Sequence, residues 1–142
     1  MAAADVMNLQ LVSVAPTETA HGAVTRMIDA GVGSVVVCDQ SRLLGIFTER
    51  DVLRLVGEGV DLRSVPVGDV MTREVQVIGP DDDVFAAARL MAERRIRHLP
   101  VVEDGNVLGV VGIRDAMRSL VERVWREHDG DARATARELL RR

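Results

Sequence analysis

The residues best suited to chemistry are a hydroxyl and a carboxylate, Thr48 and Asp51, three positions apart in the motif Gly-Ile-Phe-Thr-Glu-Arg-Asp. The motif predicts a short apolar strand that runs directly into a helix. The first turn of a helix has backbone N–H groups without intrahelical partners, and these groups attract anions. A carboxylate can accept hydrogen bonds from ribose hydroxyls, while the hydroxyl and the N–H groups can hold phosphate oxygens. The spacing therefore indicates a site for a sugar phosphate.

A second copy of this motif occupies residues 109–115, which is 64 residues later. The two aspartates correspond, because Asp115 stands where the first copy has Asp51. At the position of Thr48 the second copy has Gly112, so it lacks the hydroxyl. The two copies can offer different chemistry to a ligand.

A basic pair, Arg97 and His98, comes directly before an apolar strand. If Leu99 and Val101 point into the core, strand alternation places His98 on the opposite face, toward a cleft or water. A solvated run of charge is the alternative, because two more arginines precede the pair.

Structural interpretations compete with the functional ones. Thr48 and Asp51 also have the spacing of a capping box, in which the two side chains cap a helix without any ligand. Arg50 and Arg114 recur in the two copies. Their simpler interpretation is an outward-facing pair on a helix, with phosphate contact as the alternative.

Composition argues against several classes of function, although it leaves room for a local basic patch. The 142 residues carry a formal net charge of -4, which argues against a nucleic-acid surface held mainly by phosphate contacts. The single cysteine, Cys38, cannot form an internal disulfide, and its apolar neighbours predict a core residue. The histidines show no paired metal-ligand spacing. Without a signal segment or a long apolar run, we expect a cytoplasmic protein with no membrane association.

The chain is an internal duplication. With no gap, 12 of the 52 positions from Asp5 to Val56 are identical to the residue 64 later, whereas unrelated sequence would give roughly three or four identities. One copy of about 56 residues buries little apolar surface alone, so the two copies should pack together. We predict repeats at residues 5–60 and 69–128, joined by a glycine-rich linker.

Each repeat is predicted to contain a strand, a helix, two strands and a second helix, which gives an α/β (α+β) fold. In the first helix the apolar residues recur at i, i+3, i+4, i+7 and i+8 from Ala20, and Gly31 should end it. The predicted strands are Leu11–Val14, Ser34–Cys38 and Leu43–Phe47 in the first repeat, and Val75–Ile78, Leu99–Val102 and Val107–Val111 in the second. The helices that follow the motifs are predicted at Glu49–Val56 and from Arg114 to about His128.

A short amphipathic helix is predicted at residues 131–142, with Leu139 and Leu140 on its apolar face. So short a helix needs a surface to hold it. We expect it to pack in a homodimer; packing on its own repeats or on another partner is the alternative.

With these motifs assembled, the chain resembles a tandem pair of CBS domains, an arrangement often called a Bateman module. The resemblance is carried by the Asp-Val-Met starts at Asp5 and Asp69, the run Ile96–Val102, and the motifs ending in Asp51 and Asp115. It implies two repeats related by pseudo-two-fold symmetry. It also implies a regulatory module without catalytic activity that binds an adenosine ligand such as AMP, ADP, ATP, NAD or S-adenosylmethionine.

The resemblance also implies roles for single residues. Asp51 and Asp115 would hold ribose hydroxyls, Thr48 would contact phosphate, and Arg97 and His98 would supply basic phosphate contacts. The positions at which the family lines its base pocket are Ser13, Val32, Val77 and Ile96. The chain departs from the family pattern in two ways: Gly112 stands in place of a hydroxyl-bearing residue, and the first repeat has no basic pair. These departures imply that the two sites are not equivalent.

The sequence thus favours a regulatory sensor of an adenosine nucleotide. The alternative is a ligand-independent scaffold that acts through homodimerisation. An enzyme is the third hypothesis, because no activated nucleophile, acid–base pair or metal set is evident in the sequence. The protein that such a module would regulate is not indicated by any motif.

Overall fold

A computed structural model of the chain describes residues 1–9, 11–127 and 138–141, and shows one five-stranded sheet flanked by helices. The elements of the first half are α1 (Ala3–Val6), β1 (Ser13–Val14), α2 (Ala20–Ala30), β2 (Ser34–Asp39), β3 (Arg42–Thr48) and α3 (Glu49–Gly57). Those of the second half are α4 (Val67–Val70), α5 (Val84–Arg94), β4 (His98–Glu103), β5 (Asn106–Gly112) and α6 (Ile113–Glu127). The predicted α+β fold with two similar halves is confirmed.

The sheet runs in the order β1-β2-β3-β5-β4. The β1–β2 pair is parallel, and the other pairs are antiparallel. The two halves meet at the β3–β5 pair, where Arg42 lies opposite Asn106. Each half therefore contributes one hairpin to a continuous sheet.

Helix α2 shows why the predicted boundaries are correct. The Thr19 side chain accepts a hydrogen bond from the Gly22 N–H at 3.0 Å and caps the start of the helix. Gly31 ends it in the left-handed conformation at φ 65°, which glycine adopts without strain. The buried face consists of Ala20, Ala23 and Met27.

The strand predicted at Val75–Ile78 is much reduced. Only Ile78 pairs, in a parallel bridge to Val101, with its N–H donating to Pro100 O at 3.0 Å. The matching segment in the first half is β1, which has two residues. Both segments lie at sheet edges and are closed by a proline two residues later, which supplies no N–H to extend the pairing.

The two short helices, α1 and α4, pack on the opposite halves of the molecule. In α1 the N–H of Ala3 donates to Asp82 O at 2.7 Å, which attaches the N-terminus to the second half. In α4 the N–H of Val67 donates to Glu18 O, also at 2.7 Å, which attaches the connecting segment to the first half. The halves thus exchange their first segments.

The exchange continues into the sheet of the first half through Thr72. Its N–H and carbonyl pair with the carbonyl and N–H of Ile46, at 2.9 and 3.0 Å. The neighbouring residue, Met71, lies against Gly45 so closely that a Cβ there would be 2.5 Å from the Met71 Sδ. A side chain at residue 45 would therefore displace the exchanged segment.

The second half has the same arrangement with the N-terminal segment. Asn8 pairs with Val110, its N–H donating to the Val110 carbonyl at 2.8 Å. A Cβ at Gly109 would be 2.9 Å from both the Met7 Sδ and the Asn8 carbonyl oxygen. The glycine that opens each motif is required by this close approach.

Each half has its own hydrophobic core, and a small third cluster joins them. The first core contains Val14, Ala20, Ala23, Met27, Val35, Val37, Phe47, Leu55 and Val67. The second contains Ala3, Ile78, Val84, Ala87, Met91, Leu99, Val101, Val111 and Ala116. The joining cluster contains Val36, Cys38 and Val107, so the prediction that Cys38 is a core residue is confirmed.

The C-terminal helix predicted at residues 131–142 lies mostly outside the described residues. Within 138–141, residues 138–140 are helical and Leu140 is exposed. The packing expected for this helix stays a prediction.

Candidate functional site

A cavity of about 690 Å³ lies between the two halves, beside the strand-to-helix corner of the second motif. Its charged and polar lining includes Ser34, Glu49, Arg97, His98, Arg114, Asp115 and Arg118. Its apolar lining includes Leu11, Val12, Val24, Met27, Ile28, Val32, Val36, Val52, Val110 and Ile113. A volume of this size with an apolar wall and a few convergent charges is typical of a small-molecule site.

The second motif forms one wall of the cavity. Strand β5 ends at Gly112 and helix α6 begins at the next residue, whose N–H donates to the Arg97 carbonyl at 2.8 Å. This bond fixes the start of α6 beside the start of β4, so Asp115 and Arg97 face the same space. Arg118 follows Arg114 by one helical turn and therefore extends the same face of the helix.

Asp115 is available to a ligand. Its side chain is half-buried, and within the described part of the chain it makes no hydrogen bond or ion pair. A Cβ added at Gly112 would be 3.4 Å from the Asp115 Oδ2, so this carboxylate lies where a hydroxyl-bearing side chain would otherwise meet it. Among the described residues, the missing hydroxyl of the second copy thus leaves the carboxylate without a partner.

The first motif has the opposite arrangement. Asp51 is buried, and its Oδ2 accepts hydrogen bonds from the Thr48 N–H at 2.9 Å and the Thr48 hydroxyl at 3.2 Å. Its Oδ1 accepts from the Thr72 hydroxyl at 3.1 Å, and the Arg54 guanidinium lies 3.7 Å away. The Thr48 side chain in turn accepts from the Asp51 N–H at 3.4 Å, which completes a capping box for α3. Both oxygens of this carboxylate are occupied within the chain.

The charges of the cavity are mixed. Three guanidinium groups, those of Arg97, Arg114 and Arg118, face two carboxylates, those of Glu49 and Asp115. The pKa of His98 lies below its ordinary value of 6.5, chiefly because burial disfavours the charged imidazolium. The carboxylate of Glu49 opposes this shift, whereas Arg97 adds to it. The cavity therefore has an excess of positive charge suited to an anionic ligand.

The structure brings some of the sequence-predicted site residues together and not others. The cavity is lined by Val32, Arg97, His98, Arg114 and Asp115. Residues that do not line it are Ser13, Thr48, Arg50, Asp51, Val77 and Ile96. In β4, Leu99 and Val101 are fully buried while His98 lines the cavity, but Pro100 between them is fully buried as well.

Three of the residues outside the cavity have other surroundings. The Ser13 carbonyl accepts from the Arg26 guanidinium at 3.2 Å. Val77 is 42% exposed, and Ile96 packs against the core of the second half.

Sequence reasoning did not select Glu49 or Arg118 as cavity residues. A signal existed for Arg118, because the duplication makes it identical to Arg54 and it follows Arg114 at helical spacing. No comparable signal marked Glu49, since its counterpart in the second copy is the apolar Ile113.

The described residues include no group of three or more His, Cys, Asp or Glu placed to hold a metal ion. Among the same residues, no helix combines the length and the apolar character needed to cross a bilayer. The cytoplasmic location expected from the sequence stays a prediction.

Comparison with known proteins gives a consistent result. The sequence model of the CBS domain family matches residues 3–58 and 67–122. The mitochondrial CBS domain-containing protein CBSX3 of Arabidopsis thaliana is 41% identical over 110 residues, which are 73% of this chain and 53% of that protein. The chain therefore spans about half the length of this relative. The CBS domain-containing protein YhcV of Bacillus subtilis is 36% identical over 112 residues, which are 78% of this chain and 79% of YhcV.

Among solved structures, the CBS domain protein PAE2072 of Pyrobaculum aerophilum, complexed with AMP, superposes with a TM-score of 0.75 and 29% identity. The match covers 81% of this chain and 89% of that one. Two matches to the family model, close relatives with the same domain and the shared fold agree with the duplication seen in the sequence. The chain belongs to the CBS domain family, as a tandem pair of CBS domains.

Proposed function

We propose that this CBS pair is a regulatory module that binds an adenosine nucleotide, AMP, ADP or ATP, in the cavity beside the second motif. The observation that carries the proposal is the Asp115 carboxylate, which has no partner in the described chain and faces a cavity with three arginines. The AMP complex of PAE2072 supports an adenosine ligand for a protein of this fold. NAD and S-adenosylmethionine remain further ligands to test.

Each part of the cavity has a role in this proposal. Asp115 accepts hydrogen bonds from the ribose hydroxyls, because an ionised carboxylate is an acceptor with two oxygens. The guanidinium groups of Arg97, Arg114 and Arg118 bind phosphate, for which their planar N–H donors are well suited. The apolar wall, which includes Val32, packs against the base. The module performs no chemistry, so we expect no turnover of the nucleotide.

The first motif serves the fold rather than the ligand in this proposal. Thr48 and Asp51 cap α3, and Thr72 occupies the remaining oxygen of the carboxylate. Arg50, which does not line the cavity, is an outward-facing residue of the helix. One chain, which is one tandem pair of CBS domains, would therefore bind one nucleotide, at the second motif.

Isothermal titration calorimetry with AMP, ADP, ATP, NAD and S-adenosylmethionine tests this proposal. Asp115→Asn should weaken binding of the preferred nucleotide roughly ten- to a hundredfold, because a lost charge-assisted hydrogen bond costs about 1.5–3 kcal/mol. Asp29→Asn is the matched control, since Asp29 is an exposed carboxylate on α2 outside the cavity. Failure of all five ligands to bind the wild-type protein, or an unchanged affinity in Asp115→Asn, would overturn the proposal.

A ligand-independent scaffold is the second candidate, and exposed apolar side chains favour it. On α6, Met117, Val121 and Trp125 are 52%, 46% and 50% exposed, and Phe85 on the neighbouring α5 is 48% exposed. We propose that this surface pairs in a homodimer. Light scattering after size-exclusion chromatography measures the mass. A dimer that binds none of the five ligands would favour the scaffold, and a monomer at micromolar concentration would exclude it.

A further inference from the structure

Glu49 is the least expected residue of the cavity. It is the first residue of α3, and its N–H donates to the Gly33 carbonyl at 3.0 Å. Its side chain is folded over Gly33, because a Cβ added there would be 3.2 Å from the Glu49 Cδ and 3.3–3.4 Å from the two carboxylate oxygens. Although Glu49 is exposed, its carboxylate therefore lies beside Gly33 at the wall of the cavity.

In the part of the chain that the structure describes, Glu49 makes no ion pair or side-chain hydrogen bond. Its charge nevertheless acts on the opposite wall, since it opposes the burial that lowers the pKa of His98 on β4. Glu49 from one repeat and the basic residues from the other thus face the same ligand volume.

The charge of Glu49 has no counterpart at the equivalent position of the second repeat. In the second repeat the corresponding residue is Ile113, which is apolar, so the pseudo-symmetric position carries no charge. The three guanidinium groups lie on the second-repeat side, at the start of β4 and in the first turns of α6. A phosphate chain that grows away from these groups meets the first-repeat wall, where the fixed charge is negative.

We propose that Glu49 is the specificity-determining residue of the cavity, and that its carboxylate selects a nucleoside monophosphate over the di- and triphosphate. The inference rests on the proposed function and adds the class of nucleotide. Its physical basis is repulsion between like charges, which in a partly solvated cavity weakens binding several-fold for each added phosphate charge. One phosphate is balanced by the arginines, and further phosphates are not.

The test compares the affinities of AMP and ATP in wild type, Glu49→Gln and Glu93→Gln. Glu93 lies exposed on α5 outside the cavity, so its variant changes the net charge by the same amount. In wild type AMP should bind more tightly than ATP. In Glu49→Gln the ratio of the two dissociation constants should narrow by about three- to tenfold, chiefly through tighter ATP binding. Glu93→Gln should keep the wild-type ratio.

Salt gives a second readout. Raising NaCl from about 0.05 to 0.3 M should bring the dissociation constants of AMP and ATP closer together in wild type more than in Glu49→Gln. The reason is that salt screens the repulsion between Glu49 and the added phosphates. Two results would overturn the inference and leave the proposed function standing. One is a ratio of the AMP and ATP dissociation constants that is the same in wild type and Glu49→Gln. The other is tighter binding of ATP than of AMP by wild type. Absence of binding by every nucleotide would overturn both.

Discussion

Replacing Gly45 by alanine tests the exchange of segments between the repeats. The added Cβ would lie 2.5 Å from the Met71 Sδ, 2.9 Å from its Cγ and 2.8 Å from the Thr72 carbonyl oxygen. The methionine can change its rotamer, but the carbonyl belongs to backbone that is hydrogen-bonded to Ile46. The exchanged segment must therefore shift as a unit.

The expected cost follows from two contributions. Overpacking a tight contact costs about 1–3 kcal/mol, and each backbone hydrogen bond between Ile46 and Thr72 contributes about 0.5–1.5 kcal/mol. With these bonds weakened rather than lost, the free energy of unfolding should fall by about 2–4 kcal/mol. For a protein of this size that corresponds to a Tm lower by roughly 5–15 °C.

The assay is thermal unfolding followed by circular dichroism, with urea unfolding for the free energy. Gly57→Ala is the matched control: nothing lies within 4 Å of its added Cβ, and alanine is favoured over glycine in a helix. Its Tm should be unchanged or raised. Gly109→Ala should lower the Tm as Gly45→Ala does, since its added Cβ would lie 2.9 Å from the Asn8 carbonyl oxygen. A Tm of Gly45→Ala equal to that of wild type would refute the proposed close packing.

Three further predictions concern the first motif and the histidine. Asp51→Asn should lower the free energy of unfolding, measured in urea, by about 1–2 kcal/mol, because it weakens the cap with Thr48 and the hydrogen bond from Thr72. The nucleotide affinity of this variant should stay within about twofold of wild type. A large loss of nucleotide affinity would contradict the capping role. For His98, the folded-state pKa is lowered by burial, so the unfolded chain binds more protons and stability should fall as the pH drops below about 6.5. His98→Gln should flatten this part of the profile of urea midpoints between pH 5 and 7.5, and a profile identical to wild type would contradict it. Since a bound phosphate favours the imidazolium, nucleotide binding near neutral pH should also take up protons, which calorimetry in two buffers of different ionisation enthalpy measures.

Much of the fold could be predicted because the sequence is an internal duplication, so each element is indicated in both repeats. The offset of 64 residues marked equivalent positions, and apolar spacing placed α2 with its glycine end at Gly31. The exchange of the first segments could not be predicted in the same way. A self-comparison shows that Met7 and Met71 are equivalent, but not which repeat each one packs against, because both choices give the same sequence pattern.

The candidate site shows a similar limit. The spacing of Thr48 and Asp51 indicated a sugar-phosphate site at the first motif, with a capping box as the alternative. In the structure the Thr48 hydroxyl and Thr72 occupy the carboxylate of Asp51, whereas Asp115, beside the glycine at residue 112, has no partner among the described residues. The difference depends on which groups satisfy a carboxylate in three dimensions. Spacing along the chain alone does not contain that information.

The reciprocal docking of α1 and α4 has a consequence for how the molecule unfolds. Although there are two hydrophobic cores, each includes a residue contributed across the boundary, Ala3 in one and Val67 in the other. Melting either repeat strips the partner of a covering segment and exposes a fully buried side chain to water. The smallest cooperative unit is therefore the pair, and heat or urea should melt both cores in one transition, with coincident curves from every probe.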